Sequence, residues 1–284
     1  MIKIRTSRAL DKFADRASKI LKMPIWQGVD DKCKNIFFFG MYNERDYEVF
    51  DNFQGNKYIL WGGSDIRRLV TDYERKRMIK NNPAKHFCEN EVEANDLRKC
   101  GIEPIIVPTF LDDIDKYPVS FTPTENPELF MCVNAGREEE YGVHFVKGIA
   151  NKVPFAKFHI YGIPEDAIFF KTAVQAVKNE DGTMYDKDAP NMIYHGKLPE
   201  KEFNEQLSKY HAGLRPNLHD GNSEVAMKSL LLGQYPITRI PYDGIWNYKT
   251  EEELIALIHK LTHIKEPNVK VREEWIKKLN NFGL

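Results

Sequence analysis

Residues 211–239 read HAGLRPNLHDGNSEVAMKSLLLGQYPITR, and this stretch decides the fold. A short apolar run at 212–215 is followed by turn-forming residues at 216–222. Ser223 is a favourable helix N-cap, and Gly233 stands where a helix would end. The pattern predicts strand, polar loop, helix and strand. The first turn of such a helix carries unpaired N–H groups and the positive end of the helix dipole, so it suits an anion.

The rest of the second half alternates in the same way. Apolar runs predict strands at 130–134, 158–161, 191–195, 212–215 and 235–238. Helical periodicity predicts helices near 142–151, 165–179, 199–210, 223–232 and 250–264. Residues 181–190 are expected to form a polar loop. Alternating strands and helices imply a parallel sheet with right-handed crossovers.

The first half shows a similar alternation. Strands are predicted at 2–5, 35–40, 57–61, 85–88 and 103–107, and helices at 7–22, from 47 to about 53, from 64 onward and at 91–100. Four prolines and an acidic run make 108–127 the expected linker. The predicted fold class is therefore α/β with two Rossmann-like domains facing across a cleft. Their predicted bounds are 1–118 and 119–266, with a C-terminal helix at 267–284 that crosses back to the first domain. Ligands are expected at the carboxyl ends of the strands.

Composition sets broad limits. The 284 residues carry a formal net charge of −1, which favours neither nucleic-acid binding nor its absence. Four scattered cysteines without a C-x-x-C pair indicate a reduced, cytoplasmic protein and disfavour a structural zinc site. There is no apolar run of the ~18–20 residues that a membrane span needs, and no signal-peptide pattern at Met1.

Four stretches of the second half carry a resemblance to a known family. They are NAGREEEYG (134–142), FHIYG (158–162), YHGKLPEKEFNEQLSKYHAGLRPN (194–217) and DGNSEVAMKSLLLGQYPI (220–237). In this order they resemble the donor-binding domain of GT-B glycosyltransferases, most closely family 4. WGGSDIRRL (61–69) more faintly resembles the family's acceptor domain. The chain departs from the family in being short, in having Pro216 where a first glutamate often stands, and in lacking the acceptor-domain histidine.

The resemblance implies an enzyme that moves a sugar from a nucleotide-diphosphate sugar, with UDP the family's commonest nucleotide, to an acceptor hydroxyl. Family 4 members are retaining. The predicted strand ends carry no acidic D-x-D motif, so metal-independent transfer without a further cofactor is expected. The acceptor could be a glycan, a lipid or a hydroxymethylated base in phage-type DNA. A sugar-nucleotide epimerase and a non-catalytic nucleotide-sugar-binding module remain alternatives.

The resemblance also assigns roles to residues. The donor diphosphate would meet the guanidinium of Arg137 and the backbone N–H groups of Gly221, Asn222 and Ser223, because charge grows on the leaving group as the glycosidic bond breaks. Glu224 would accept the ribose hydroxyls. Further cations would come from Arg215 and Lys228, contacts to the base from Gly196, Lys197 and Leu198, and contacts to sugar hydroxyls from His219, Asp220 and Asn222. An inverting enzyme would need a general base, for which Asp65 and Glu44 are the candidates.

Each of these roles has a plainer alternative. Lys228 stands four residues after Glu224, so the two could form an intrahelical pair. Arg137 is followed by three glutamates that could neutralise it. Asp65 could act only as a helix-start carboxylate. The basic segment 67–85 could meet an anionic acceptor such as DNA or a lipid phosphate, or it could be a solvated helix.

Overall fold

The structure is a computed structural model that describes residues 1–28, 32–172 and 174–284, with the side chains of 171 and 172 left aside. The chain divides into two compact units. Unit 1 comprises Met1–Ile114, His219–Asn222 and Trp275–Leu284, and unit 2 comprises Asp115–Leu218 and Ser223–Glu274. The return of four residues, 219–222, to unit 1 has no counterpart in the sequence-based prediction.

Unit 1 is built on a five-stranded parallel sheet. Its strands, in spatial order, are β1 (Lys3–Thr6), β2 (Asn35–Phe39), β3 (Asn56–Leu60), β4 (Lys85–Cys88) and β5 (Ile105–Ile106). Its helices are α1 (Ala14–Leu21), α2 (Glu44–Asn52), α3 (Ser64–Thr71), α4 (Tyr73–Asn81) and α5 (Glu91–Lys99). Every pairing in this sheet is parallel, so the carboxyl ends of all five strands lie at one edge.

Strand β2 shows why the sheet is central to unit 1. Ile36 and Phe38 pack into the apolar cluster on one side of the sheet. Phe37 packs on the other side, where its ring lies 5.1 Å from that of Phe282. An all-apolar run buried on both faces is typical of a strand inside a parallel sheet.

Two local predictions in unit 1 are wrong. The helix predicted at 7–22 begins only at Ala14: a 3₁₀ segment, Arg8–Phe13, precedes α1, and the Oγ of Ser7 donates to Oδ2 of Asp46. The basic segment 67–85 is not one helix. It breaks at Asp72, whose side chain accepts a hydrogen bond from Arg75 N and so caps α4.

Unit 2 is built on an eight-stranded sheet. Its strands in chain order are β6 (Glu128–Cys132), β7 (Lys157–Tyr161), β8 (Ala176–Lys178), β9 (Met184–Asp186), β10 (Ala189–Tyr194), β11 (Ala212–Arg215), β12 (Ile237–Thr238) and β13 (Trp246–Asn247). The spatial order is β13-β12-β11-β6-β7-β10-β9-β8. Its helices are α6 (Val143–Ala150), α7 (Ile168–Thr172), α8 (Glu200–Leu207), α9 (Glu224–Leu231), α10 (Glu251–Leu261) and α11 (Val269–Lys278), the last of which runs on into unit 1.

The predicted helix 165–179 and loop 181–190 are wrong in large part. The helix at this point is the short α7, Ala173 lies outside the described residues, and β8 and β9 form an antiparallel hairpin. The hairpin turn contains Gly182 at φ +85°, a conformation that favours glycine. Each of its strands has three residues, too few for an alternating pattern to show in the sequence.

Two α/β units, each on a largely parallel sheet, confirm the predicted α/β class with two Rossmann-like domains. Within the residues that the structure describes, none of the helices has both the length and the apolar character to cross a bilayer.

Candidate functional site

The strand ends of unit 2 are packed tightly together. The backbone N–H of Gly162, just after β7, donates to the carbonyl of Gly196, just after β10, over 2.7 Å. A Cβ on Gly162 would lie 2.1 Å from the carbonyl oxygen of Val133, and its φ is +96°, so this position requires glycine. The carboxyl edge of β6, β7 and β10 is therefore a fixed platform.

The structure brings two predicted arginines of this edge onto one aromatic ring. The guanidinium carbon of Arg215 lies 4.5 Å from the ring centroid of Tyr141, and that of Arg137 lies 5.5 Å from it. Arg215 also donates to the carbonyl of Cys132 over 3.3 Å. Tyr141 was not predicted as a site residue, although its place between an arginine loop and Gly142 could have singled it out.

Arg137 is also engaged by a neighbour. Its Nε donates to Oε2 of Glu140 over 2.7 Å, and its Nη2 bonds to Oε1 of the same carboxylate. This pair raises the pKa of Arg137, and the side chain is about half exposed. One of the three following glutamates does contact the arginine, as the plainer alternative proposed. An incoming anion would have to compete with Glu140.

Helix α9 holds the acidic and the basic residue that were predicted for the donor, Glu224 in its first turn and Lys228 in its last turn. Ser223 caps the helix, and its Oγ accepts from Ala226 N over 3.3 Å. The side chain of Glu224 is 48% exposed, whereas that of Lys228 is 4% exposed. Lys228 Nζ donates to Oδ1 of Asn204 over 3.1 Å and lies 3.9 Å from Oε2 of Glu224. The intrahelical pair is thus a long contact, and Glu224 keeps an accessible carboxylate.

The charges of Arg215, Lys228 and Glu224 all act on Cys132 at the end of β6. Burial raises the pKa of the Cys132 thiol to about 12, and the charges of Arg215 and Lys228 oppose that shift. Arg215 and Lys228 therefore both lie close enough to Cys132 to affect the pKa of its thiol. Gly196 has φ +71°, and apart from its two chain neighbours no described residue has an atom within 4 Å of the position that a Cβ would take. Lys197 is exposed and Leu198 is partly exposed, so this turn is open to a ligand.

The segment 219–222 belongs to unit 1, where it lies at the ends of β4 and β5. Asn222 N donates to Oε2 of Glu89 over 2.7 Å, and Asn222 Nδ2 donates to the carbonyl of Thr109 over 2.6 Å. Asn90 Nδ2 donates to the carbonyl of Asp220 over 2.8 Å. One of the N–H groups predicted for the diphosphate is thus bonded to a carboxylate of the protein.

A close approach at Gly221 fixes this arrangement. A Cβ on Gly221 would lie 2.0 Å from Oε2 of Glu89. Because a real Cβ could not come so near, the segment can lie against Glu89 only if residue 221 is glycine or if the carboxylate moves.

Glu89, which is partly buried, forms an acidic cluster with the fully buried Glu93 and Asp65. Glu89 N donates to Oε2 of Glu93 over 2.8 Å, and Oε1 of the fully buried Glu93 is without a hydrogen-bond partner in the described part of the chain. Burial, with the charges of Asp220 and Asp65, raises the pKa of Glu89 to about 8. Burial and the charge of Glu89 raise the pKa of Glu93 well above its ordinary value. Sequence reasoning missed both residues, although Glu89 directly follows β4.

The two candidate bases have different surroundings. Asp65 is fully buried, and its oxygens accept from the backbone N–H groups of Met41, Gly62 and Ile66 over 3.0, 3.1 and 2.9 Å. It therefore joins the ends of β2 and β3, and burial raises its pKa to about 6. Glu44 lies on the surface, where Oε1 bonds to the guanidinium of Arg75.

His219 lies near an acidic partner in unit 1. Its Nε2 is 3.7 Å from Oδ2 of Asp96. Burial and then the charge of Arg67 lower the pKa of His219, and Asp96 opposes this shift. A sugar contact by His219 stays a prediction.

Local acceptors engage much of the basic segment 67–85. Arg77 lies 2.6 Å from Glu74, and Arg75 contacts both Glu44 and Asp72. Arg68 donates to the carbonyl of Tyr42 over 2.5 Å. These contacts reduce the charge that the segment could offer to an anionic acceptor. Across residues 1–28, 32–172 and 174–284, no three His, Cys, Asp or Glu side chains are grouped as a metal site.

Solved structures share this fold at low sequence identity. Sucrose-phosphate synthase from Thermosynechococcus elongatus is 12% identical, with 87% of this chain and 70% of that chain covered and a TM-score of 0.61. TarM of S. aureus, solved with fondaparinux, alpha-GlcNAc-glycerol and UDP, is 12% identical over 87% of this chain and 53% of that one, with a TM-score of 0.56. The pneumococcal O-GlcNAc transferase GtfA, solved with UDP and GlcNAc, is 14% identical over 95% and 57%, with a TM-score of 0.54.

This chain spans little more than half the length of TarM and GtfA. No protein-family model matches the sequence, and neither does any curated protein. At these identities the similarity shows the fold alone, and it confirms the expected resemblance to glycosyltransferases at that level.

Proposed function

We propose that the chain is a glycosyltransferase that takes a sugar from a nucleotide-diphosphate donor, and that the donor binds at the carboxyl edge of the unit 2 sheet. The observation that best supports this proposal is that Arg137 and Arg215 both lie over the ring of Tyr141 at this edge. Two guanidinium groups on one rigid support suit a diphosphate, because arginine presents paired N–H donors to phosphate oxygens.

The start of α9 supports the same donor. Lys228 is nearly buried and acts on the same strand end as Arg215, and its Nζ lies 3.7 Å from Oε1 of Glu200. Glu224 is half exposed in the first helical turn, where its carboxylate can accept hydrogen bonds from two ribose hydroxyls. The open turn at Gly196, Lys197 and Leu198 would receive the base. UDP is the first nucleotide to test, since TarM and GtfA were both solved with it.

The proposed transfer retains configuration and needs neither a metal ion nor a protein base. The surroundings of the two candidate bases support this route. Asp65 already accepts three backbone hydrogen bonds, and Glu44 is engaged by Arg75. With no base at the acceptor, the departing phosphate would take the proton of the acceptor hydroxyl, and the cations of unit 2 would stabilise the charge that remains.

A screen of nucleotide sugars by thermal shift, followed by mass analysis of candidate acceptors, tests this function. The acceptors should include glycans, lipids and hydroxymethylated DNA. We expect a nucleotide sugar to raise the melting temperature and one acceptor to gain the mass of the sugar. If none of the nucleotides or nucleotide sugars shifts the melting curve, the proposal fails. Tight binding without turnover would indicate a binding module, and conversion of UDP-GlcNAc without an acceptor would indicate an epimerase.

A further inference from the structure

A line of hydrogen-bonded side chains crosses one face of the unit 2 sheet, from the start of β6 to the end of β10. Nε2 of His159, in the middle of β7, lies 2.9 Å from Oε2 of Glu128. Nδ1 of the same ring lies 2.8 Å from Nε2 of His195, the residue that directly follows β10. Glu128, His159 and His195 form what we call the histidine network, and the proposed transfer assigns no part to it.

Aromatic rings hold the histidine network in place. His195 lies nearly parallel to Tyr161, with ring centroids 4.5 Å apart and an interplanar angle of 12°. The ring centroid of Tyr210 lies 4.7 Å from that of His159, and the hydroxyl groups of Tyr161 and Tyr210 are hydrogen-bonded to each other. His159 is only 7% exposed, whereas His195 is partly exposed. The network therefore leads from a buried ring to a ring at the surface of unit 2.

The hydrogen bonds determine which nitrogen of each neutral ring carries the proton. A carboxylate only accepts hydrogen bonds, so Nε2 of His159 donates to Glu128, and this bond lowers the pKa of the Glu128 carboxyl group. A neutral imidazole has one donor and one acceptor, so Nδ1 of His159 accepts. Nε2 of His195 is then the donor to it, which leaves Nδ1 of His195 as an acceptor.

Nδ1 of His195 faces the carboxyl edge of the sheet. His159 pairs across the sheet with Ile193, two residues before His195, so Nε2 of His195 points back into the sheet. The two nitrogens of an imidazole point in nearly opposite directions, so Nδ1 points toward the turn at 196–198. Among residues 1–28, 32–172 and 174–284, none forms a hydrogen bond with this Nδ1. Gly196, which follows, leaves space beside it.

His195 is neutral at physiological pH. Burial and then the charge of His159 lower the pKa of His195 to about 4. The charges of Asp181 and Glu128 oppose this shift, and that of Lys209 adds to it. A neutral ring keeps the lone pair on Nδ1, whereas an imidazolium would donate from both nitrogens. The acceptor at Nδ1 is therefore present under the conditions in which nucleotide binding is measured.

We infer that Glu128 and His159 hold His195 as a hydrogen-bond acceptor for the base of the donor nucleotide, and that this acceptor favours uracil over cytosine. Uracil presents N3–H as a donor, whereas N3 of cytosine is itself an acceptor, so two lone pairs would face each other. A mismatched base would leave the acceptor unpaired, and that cost separates the two bases. The inference rests on the proposed function, which places the base at the turn of residues 196–198.

Nitrogen-15 NMR of the nucleotide-free protein tests the proton positions. Protonated and bare imidazole nitrogens have well-separated chemical shifts, so the spectrum reads the tautomer directly. We expect His195 to carry its proton on Nε2 and to have a bare Nδ1 at about pH 8, where an imidazole of ordinary pKa is neutral. A proton on Nδ1 of His195 would overturn the inference whether or not a nucleotide binds.

Calorimetry with UDP and CDP tests the base contact, because the two ligands differ only in the base. We expect the wild-type protein to bind UDP about tenfold or more tightly than CDP, corresponding to about 1.4 kcal/mol. His195→Phe keeps a ring against Tyr161 but has no acceptor, so this preference should fall several-fold. His263→Phe, at an exposed histidine after α10, should keep the wild-type preference.

A variant of His159 separates positioning from packing. His159→Phe keeps a ring between His195 and Tyr210 but removes the acceptor for Nε2 of His195. The two nitrogen shifts of His195 should move toward each other as both tautomers become populated, and the preference for UDP should fall. Tyr210→Phe removes a hydroxyl group from the same cluster but no bond of the histidine network, and should change neither. If His159→Phe does not fold, His195→Phe and the wild-type spectrum decide.

Two further results would overturn the inference and leave the proposed function intact. One is a ratio of UDP to CDP affinity that is the same in His195→Phe and in the wild-type protein. The other is a set of His195 shifts in His159→Phe that match those of the wild-type protein. If neither nucleotide binds to the wild-type protein, the proposed function fails, and the inference fails with it.

Discussion

The backbone N–H of Asn222 donates a hydrogen bond to Oε2 of Glu89 over 2.7 Å, between residues that are 133 positions apart in the sequence. This bond attaches segment 219–222 to the end of β4 inside unit 1. The acceptor, Glu89, is partly buried, and its pKa and that of the fully buried Glu93 are both raised. The protonation of this cluster therefore bears on the stability of unit 1.

The free energy of unfolding should fall as the pH rises from 6.5 to 8. Glu89 has a folded-state pKa of about 8 against an ordinary value of 4.5, so the folded chain holds a proton that the unfolded chain releases. The stability linked to that proton is complete below pH 4.5 and is lost as the pH rises through 8. Glu89 alone should contribute a loss of about 1–2 kcal/mol over this window, measured by urea unfolding at each pH.

The range from pH 6.5 to 8 and a control variant separate the effect of the acidic cluster from that of other titrating groups. Burial lowers the pKa of His86 and of His195 to about 4, so these groups change stability only below about pH 6.5. Glu93→Gln removes one titrating member and should flatten the slope, whereas Glu91→Gln, at an exposed residue of the same helix, should not. A slope of the same size in Glu93→Gln and in the wild-type protein would contradict this account.

Gly221→Ala should destabilise the protein by about 1–3 kcal/mol, the cost of leaving the partly buried N–H of Asn222 without its acceptor. The new Cβ would lie 2.0 Å from Oε2 of Glu89 if nothing moved. The Glu89 carboxyl group would therefore have to move away from Asn222 N. Chemical denaturation measures the change. Gly148→Ala is the control: this helical glycine has open space around its Cβ position, so the substitution should be neutral or stabilising.

A double variant separates the clash from other effects of alanine. Glu89→Ala removes the side chain that the new Cβ would meet. In that background, Gly221→Ala should cost markedly less than in the wild-type protein. Additive effects of the two substitutions would indicate that they do not act through this contact.

Asp65→Asn should lower stability and leave turnover per folded molecule within a few-fold of wild type. Both carboxylate oxygens accept backbone N–H groups, so an amide NH₂ would face Met41 N or Gly62 N. The unsatisfied donors should cost about 1–3 kcal/mol. Thermal melts and initial rates measure the two effects, with Asp15→Asn, at an exposed position of α1, as the control. A loss of about 100-fold or more in kcat at unchanged melting temperature would instead identify Asp65 as a base.

Glu140→Gln should tighten UDP binding by up to about fivefold, because a half-exposed ion pair is worth up to about 1 kcal/mol. The substitution releases Arg137 from its bidentate partner. Glu139→Gln makes the same change of charge next to it, at a side chain that is 89% exposed, and should have a smaller effect. Calorimetry with UDP compares the three proteins. Equal affinities would show that Arg137 does not reach the diphosphate.

Much of the fold was readable from local sequence patterns. The run of Asn35–Phe39 predicted a buried strand, and Ser223 correctly marked the start of α9. The hairpin of β8 and β9 was missed, because strands of three residues have no readable period and Gly182 alone marked the turn. The return of 219–222 to unit 1 depends on contacts with Glu89, Asn90 and Thr109 that no local pattern encodes.

Part of the candidate site could be predicted from the sequence. Strand ends and a helix start pointed to Arg137, Arg215 and Glu224, since these positions follow from the order of elements alone. The shared ring of Tyr141 and the engagement of Arg137 by Glu140 depend on side-chain packing. The raised pKa values of Glu89 and Glu93 depend on burial, which cannot be read from a polar residue type.

Calorimetric titration of UDP into wild-type protein and Glu224→Ala tests the central proposal most directly. We predict that the wild-type protein binds UDP and that the variant binds it more weakly by about 1–3 kcal/mol, the cost of lost charge-assisted hydrogen bonds to the ribose. Glu252→Ala, at an exposed first-turn glutamate of α10, should bind like the wild type. Equal UDP affinity in the wild type and Glu224→Ala, or no binding by the wild type, would contradict the donor site proposed at the start of α9.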